Sequence, residues 1–450
     1  MTPHGFETYP QASLIIRGAR LGAVMMALAV ALPACQTANP PAPSAATSAP
    51  APRPQASVAI PVAPPAAAPA PAPAPVAPPA PEPVAFDLAI ERAATALFSS
   101  AERNPELAAR ASRPVMIDPL IDGNTAQQTA ASAAMGRKIA DVMGSKFSRF
   151  TVTPFRKNSL DNNPLLLVGT LTAINAAGSP QARNDLYRIC LALVDVKAGK
   201  VVAKGVGRAT EQTVDHTPLA FYGDSPALVK DKFADGYVKT CQGTRAGDPA
   251  DAAYLEGLPT AMLIDEAANA YQARKYSEAK KLYKTASGLP GGAQKRVITG
   301  LYLTSWKLRQ TRDAEASFKS LVDTALEEKR LGMKFLFQPG STQFVANPDL
   351  RAQYAMWARI IGASAAASKN CLTVVGHTSR TGTDPINDAL SMKRAEFMGK
   401  MLEQRSTALR KRLTAQGVGS RETIVGSGTD DARDAIDRRV EFRLSECKTT

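Results

Sequence analysis

"GHTSRTGTDPINDALSMKRAEFMGKML", residues 376–402, decides how the carboxy-terminal quarter of this chain folds. The stretch follows an apolar run, Leu372 to Val375, that reads as a strand; it crosses a short polar loop and enters a helix. Leu390, Phe397, Met398, Met401 and Leu402 recur at helical spacing and form a core-facing stripe. Asn387, Leu390 and Arg394 stand at i, i+3 and i+7, so Asn387 and Arg394 share one face. A loop ending at a helix N-terminus offers free N–H groups and partial positive charge to a carboxylate. Arg394 adds a guanidinium whose fork matches one. His377 has no nucleophile and acid arranged around it, so a structural role is expected.

The flanks repeat the alternation. "MKFLFQPGSTQF", from about residue 332, reads as β, a helix follows over 349–367, and "DRRVEFRL" reads as a final strand. Gly376, His377, Thr378, Gly382, Asn387, the "LS" at 390–391, the "RA" at 394–395, and Arg438, Arg439 and Val440 resemble the OmpA/Pal/MotB carboxy-terminal domain. The resemblance implies a βαβαβ-type α/β domain over 331–450 that holds peptidoglycan non-covalently, through the diaminopimelate of its stem peptide. It places Thr378, Ser379, Asn387, Leu390, Arg394 and Arg438 in that site. The family meets the ammonium end of the ligand with an acid directly after "GHT"; here that place is Ser379. A hydrogen bond to a charged partner contributes about 1.5–3 kcal/mol, against about 0.5–1.5 for a neutral pair. The difference, about 1–2 kcal/mol, weakens binding roughly 5–30-fold. Asp384, five residues on, either replaces the missing acid or caps the helix.

The amino terminus speaks to compartment. Arg17 and Arg20 precede an apolar run, Leu21 to Leu32, that ends at "LPAC" with Cys35. A basic segment, a short apolar core and small residues read as an export signal. "LPAC" resembles a bacterial lipobox, which implies a signal peptide over 1–34 and an acylated Cys35. Gln36, rather than Asp, implies outer-membrane sorting. Half of the chain's 34 prolines fall within 36–83, so 35–85 is expected to be an extended, coreless tether. At about 3.1 Å per residue its reach is roughly 150 Å. Four further cysteines, Cys190, Cys241, Cys371 and Cys447, allow three pairings in an exported chain. Cys190–Cys241 with Cys371–Cys447 keeps each bridge within one domain. With three His and no CxxC or HExxH, neither metal nor cofactor is expected. A net charge of +14 with 6% aromatics and no recognition motif argues for anionic lipid or cell-wall carboxylates as partners, not nucleic acid.

Between these ends lie two more parts. Residues 86–245 read as an α/β domain, with strands in "PVMIDPL", "FTVTPF" and "LLLVGTLTAI" and a helix within 127–145. "YRICLALVDVKAGKVVAKGVGRA" is a hairpin turning at KAGK. The order resembles the periplasmic domain of CsgG-, FlgO- and LpoB-like lipoproteins, which implies an envelope protein partner. Asp118 and Asp122 lack a third ligand or a His nearby and are expected in capping and turn roles. Residues 255–330 carry pairs 35 apart: Leu263/Ile298, Tyr271/Trp306, Ala279/Ala314, Tyr283/Phe318 and Ala286/Leu321. They resemble tetratricopeptide repeats. Two such units cannot hide both ends of their stack, so neighbouring parts must cap them.

The whole reads as a multidomain protein: an α/β domain, tetratricopeptide-like helical hairpins and an OmpA-like βαβαβ domain. The expected function is that of an outer-membrane lipoprotein that binds peptidoglycan and tethers or scaffolds the envelope. The alternative is an assembly or regulatory adaptor for a synthase or secretion component. No paired-carboxylate, Cys/His or zinc signature points to an enzyme.

Overall fold

The computed structural model describes residues 81–110, 112–179, 186–210, 214–338, 340–426, 428 and 435–447. The expected signal 1–34, Cys35 and the proline-rich stretch up to residue 80 lie outside them. Among the described residues no helix is long and apolar enough to cross a membrane.

The first part contains β1 (Pro83–Val84), α1 (Phe86–Glu102), α2 (Pro105–Ala108), β2 (Arg113–Ile117), β3 (Ile121–Asp122), α3 (Ala130–Lys146), β4 (Phe150–Thr153), β5 (Leu165–Ile174), β6 (Leu186–Asp195) and β7 (Lys200–Thr210). The strands form one sheet in the order β1-β7-β6-β5-β2-β4, with β3 beside β5. Every residue of β5 is buried, as a central strand covered on both faces requires. Helices α1 and α3 cover one face, where Ile90, Leu97, Met135 and Ile139 pack on Leu165, Leu167 and Leu191. α4 (Ala220–Asp224), α5 (Lys232–Gln242) and α6 (Ala252–Glu256) follow, and α5 and α6 help to cover the other face through Tyr237 and Tyr254. A disulfide joins Cys190 on β6 to Cys241 on α5.

Asp122 accepts the N–H groups of Asn124 and Thr125 at 3.0 and 2.7 Å, a turn that its short side chain stabilises locally. Asp118 differs from its expected capping or turn role. It is buried, and its carboxylate accepts the Tyr254 hydroxyl at 2.5 Å, joining the end of β2 to α6.

Four helices make two hairpins: α7 (Leu258–Gln272) with α8 (Tyr276–Ser287), and α9 (Lys295–Lys307) with α10 (Thr311–Glu327). The sequence pairs fall at equivalent places in them, Ala279 and Ala314 fully buried in α8 and α10, Tyr283 and Phe318 one turn further. Both turns put an arginine in the left-handed conformation, Arg274 at φ 60° and Arg309 at φ 59°.

β8 (Arg330–Met333), α11 (Pro348–Ala367), β9 (Cys371–Gly376), α12 (Asp384–Arg405), β10 (Leu413–Gly417) and β11 (Val440–Ser445) complete the chain. Their sheet runs β10-β9-β11-β8, with β10 parallel to β9 and β11 antiparallel to both β9 and β8. A second disulfide joins Cys371 to Cys447. The segment before α5 protects the β8 edge: Leu228 N–H donates to the Gly332 carbonyl at 3.3 Å, and Lys334 N–H to that of Pro226 at 2.8 Å.

The hairpins and this last part share one apolar core that runs from Phe221 to Leu444. Phe318 of α10 stacks on Trp357 of α11 at 5.6 Å, and the Trp357 indole N–H donates to the Tyr302 hydroxyl at 2.9 Å. The hairpin stack is therefore closed by neighbours. Phe221, Tyr222, Ala227 and Val229, from within the stretch 86–245, belong to this core too.

Candidate functional site

The quoted stretch forms the end of β9, the loop 377–383 and α12. Two glycines allow α12 to lie directly on the strand ends. A Cβ on Gly376 would come within 2.0 Å of the Ser391 carbonyl oxygen, and one on Gly417 within 2.5 Å of the Met392 nitrogen. The strand ladders carry on into the loop: His377 N–H donates to the Arg439 carbonyl and Thr378 N–H to that of Gly419, both at 3.0 Å.

The core-facing stripe of α12 is polar in its first half. Asn387, Ser391 and Arg394 are buried, and Ala395, Met398 and Leu402 continue the stripe as apolar residues. Buried polar groups need partners. The Ser391 hydroxyl donates to the Asp388 carbonyl and accepts the Gly419 N–H, each at 2.9 Å. Arg394 donates through Nε to the Ser341 carbonyl at 3.1 Å and through Nη2 to that of Gln338 at 3.3 Å. Its guanidinium lies 4.8 Å from the Phe337 ring centroid. Asn387 Nδ2 and Thr378 Oγ1 are buried with no hydrogen-bond partner among the described residues. Leaving such a group unpaired costs about 1–3 kcal/mol.

Ser379 is buried in the same loop, beside Thr378. Leu390 is half-buried, one turn beyond Asn387. Asp384 stands exposed in the first turn of α12, whose N-cap, Thr383, makes no side-chain capping bond. The rim is tied down by the segment after β10. Arg380 donates to the Gly426 carbonyl at 3.0 Å and Thr381 to that of Gly428 at 3.3 Å. Asp437 gathers the N–H groups of Ile424, Val425 and Gly426 at 2.5, 3.0 and 2.7 Å and so shapes that segment. Arg438 lines a separate cavity of about 630 Å³ between α9 and α11.

Beneath the loop lies a charge cluster that sequence reasoning missed. Glu441 is buried on β11 between Arg439 and Arg443, with Arg330 reaching it from β8. Burial alone would raise its pKa; the Arg330 hydrogen bonds and the Arg439 charge hold it well below the usual carboxylate range. Burial, reinforced by Arg439, pushes the His377 imidazole down to about 3. His377 is therefore neutral at ordinary pH, as a structural residue. His377, Glu422 and Glu441 offer ligand atoms within 4.8 Å of one another. Three guanidinium groups already crowd Glu441, an electrostatic setting that opposes a divalent cation. The alternation Arg439–Glu441–Arg443 was a visible signal, since i and i+2 residues share one face of a strand.

Residues 336–437 match the OmpA family. No curated protein matches the chain. Among solved structures, the periplasmic domain of Helicobacter pylori MotB is 19% identical over 26% of this chain and 73% of its own, with a TM-score of 0.22. The peptidoglycan-associated lipoprotein from Burkholderia pseudomallei is 21% identical over 27% of this chain and 93% of its own, TM-score 0.22. The cell wall anchor of the T6SS from Pseudomonas aeruginosa is 20% identical over 29% of this chain and 96% of its own, TM-score 0.23. The match leaves 86–245 and 255–330 uncovered, and their resemblances rest on sequence pattern alone. What the matched residues and the strand–loop–helix geometry identify is an OmpA-like carboxy-terminal domain.

Proposed function

We propose that this chain holds peptidoglycan non-covalently through loop 377–383 and the start of α12, and thereby anchors an envelope lipoprotein to the wall. The observation that carries the reading is that two buried atoms near the start of α12, Asn387 Nδ2 and Thr378 Oγ1, have no hydrogen-bond partner among the described residues. The ligand is the diaminopimelate of the stem peptide. Its carboxylate meets the helix N-terminus, Asn387 and Thr378, and its ammonium meets the neutral Ser379. Arg394 shapes the site by gripping the backbone at Gln338 and Ser341 and presents positive charge to the carboxylate. Leu390 supplies apolar contact; Arg438, which lines the separate cavity between α9 and α11, is not part of this contact. Acylation of Cys35 joins this wall contact to the outer membrane through the proline-rich tether.

The test is co-sedimentation of the full chain with purified peptidoglycan. Asn387→Ala is expected to weaken capture roughly 10–150-fold, the value of one hydrogen bond to a charged group, without lowering the melting temperature. Unchanged capture refutes the site. For the anchor, Cys35→Ala should move the exported protein from the membrane to the soluble fraction; a variant that still fractionates with membrane sinks the lipid claim.

A further inference from the structure

Gly419 brings the two halves of the loop site together. Its carbonyl takes the Thr378 N–H at 3.0 Å, its N–H donates to Ser391 Oγ at 2.9 Å, and a Cβ on it would lie 3.5 Å from the Asn387 carbonyl carbon. Across the loop, a Cβ on Gly382 would lie 3.9 Å from Asn387 Oδ1. Thr378 and Asn387, each 3% exposed, therefore stand on one small patch at the start of α12. The positive end of that helix and Arg394, two turns on, give the patch its sign.

Among the described residues, the acids around the patch are already paired or stand in water. Asp388 accepts Arg421 Nη1 at 2.6 and 2.8 Å, and Asp437 holds the N–H groups of Ile424, Val425 and Gly426. Glu422 pairs with Arg443 at 2.7 Å, and Glu441 is held by Arg330, Arg439 and Arg443. Asp384 is exposed. Thr378, Ser379 and Asn387 are neutral. The ammonium of an amino acid sits on the carbon that bears its carboxylate, so a carboxylate seated here draws the ammonium into a buried and positive place. A charge buried without a counter-charge is costly. Acylation of that nitrogen removes the charge and keeps one N–H, which Ser379 Oγ can accept while it donates its own proton elsewhere.

We propose that the site takes diaminopimelate whose amine beside the bound carboxylate is acylated, as it is at the peptide cross-links of the wall, in preference to the free ammonium of an uncross-linked stem. This rests on the peptidoglycan reading above and narrows its ligand to cross-linked wall.

Calorimetry of the full chain with two probes tests the preference. One is the tripeptide L-Ala–D-Glu–meso-diaminopimelate with its side-chain amine free; the other is the same tripeptide with that amine acylated by N-acetyl-D-alanine. Wild type should bind the acylated probe about fivefold more tightly, water at the exposed rim 381–383 screening part of the repulsion. Asn387→Ala should weaken both probes by the same factor, which places both at one site. Ser379→Asp should reverse the order by giving the ammonium a counter-charge; if that variant melts below wild type, the wild-type ratio decides alone. Equal affinities, tighter binding of the free amine, an unchanged order in a folded Ser379→Asp, or an Asn387→Ala loss confined to one probe overturns the preference and leaves the site standing. If wild type binds neither probe, or Asn387→Ala weakens neither, the wall-binding reading falls, and the preference with it.

Discussion

Replacing Glu441 with Gln removes the charge that holds the floor of the loop together. The carboxylate accepts Arg439 Nε at 2.8 Å, Arg330 Nε and Nη2 at 3.0 and 2.8 Å, and Arg443 Nε and Nη2 at 3.1 and 2.9 Å. The three arginines do not lose equally. Arg330 and Arg443 have side chains 56% and 32% exposed, so water takes over and each pair contributes about 0–1 kcal/mol at most. Arg439 is 1% exposed and has no such recourse. Breaking a buried ion pair by removing one partner costs about 3–5 kcal/mol, because the remaining charge stays in low dielectric. For a cooperative unit of about 200 residues, that loss lowers the melting temperature by roughly 6–20 °C. The pH dependence has a definite sign. Glu441 is held below its ordinary value of 4.5, so its stabilisation is fully present above that pH and is lost as pH falls through the lower folded value. Urea unfolding at pH 7 and again below pH 4.5 should show a large gap between wild type and Glu441→Gln that narrows in acid. Adding Arg439→Met to Glu441→Gln deletes the orphaned charge and should recover most of the loss. A cost below about 1 kcal/mol at pH 7, or a gap that does not narrow in acid, refutes the buried-pair argument.

Burial pushes the Asp118 carboxyl up to about 7, with the Tyr254 hydrogen bond opposing the shift. A raised acid contributes stability in its protonated form, present below its ordinary 3.8 and lost as pH rises through the folded value. Asp118→Asn should therefore gain on wild type between pH 5 and pH 8 in urea titrations, and parallel curves would count against it. Ser379→Asp should tighten stem-peptide binding about 5–30-fold in calorimetry by supplying a charge for the ammonium; unchanged or weaker binding rules that geometry out. The disulfide Cys371–Cys447 closes a sequence separation of 76 residues, for which loop entropy alone sets an upper scale of about 4–5 kcal/mol. The double variant Cys371→Ser/Cys447→Ser should melt lower than wild type in non-reducing buffer and equal to it in strong reductant, and a difference that persists under reductant points to packing instead.

Much of the local structure is written in residue order. The apolar run Leu372–Val375, the polar loop and the stripe from Leu390 to Leu402 declare strand, loop and helix because periodicity is a short-range property. The 35-residue recurrence of small and aromatic residues likewise declares paired helices, and Asp122 builds its turn from neighbours two and three residues away. Position on a helix face is legible too, so Asn387 and Arg394 could be placed together, but not what they meet. Arg394 turns its donors to the carbonyls of Gln338 and Ser341, some fifty residues earlier in the chain. β10, "LTAQG", carries no apolar alternation because it is an edge strand, half-exposed and recognisable only from its pairing with β9. Asp118 reads as a turn acid until Tyr254, 136 residues away, closes over it. The same holds for the core. No pattern in the hairpins says that Phe221 and Trp357 will share it, because burial is decided by which surfaces meet, and that is a sum over contacts distant in sequence. Residue order settled the elements with strong periodicity, but on α12 it pointed to Leu390, Phe397 and Met401 where the structure hides Asn387, Ser391, Arg394 and Ala395 beside Met398 and Leu402. Only the tertiary structure decided what each hidden face touches, and so which polar atoms, Asn387 Nδ2 and Thr378 Oγ1 among them, have no hydrogen-bond partner among the described residues.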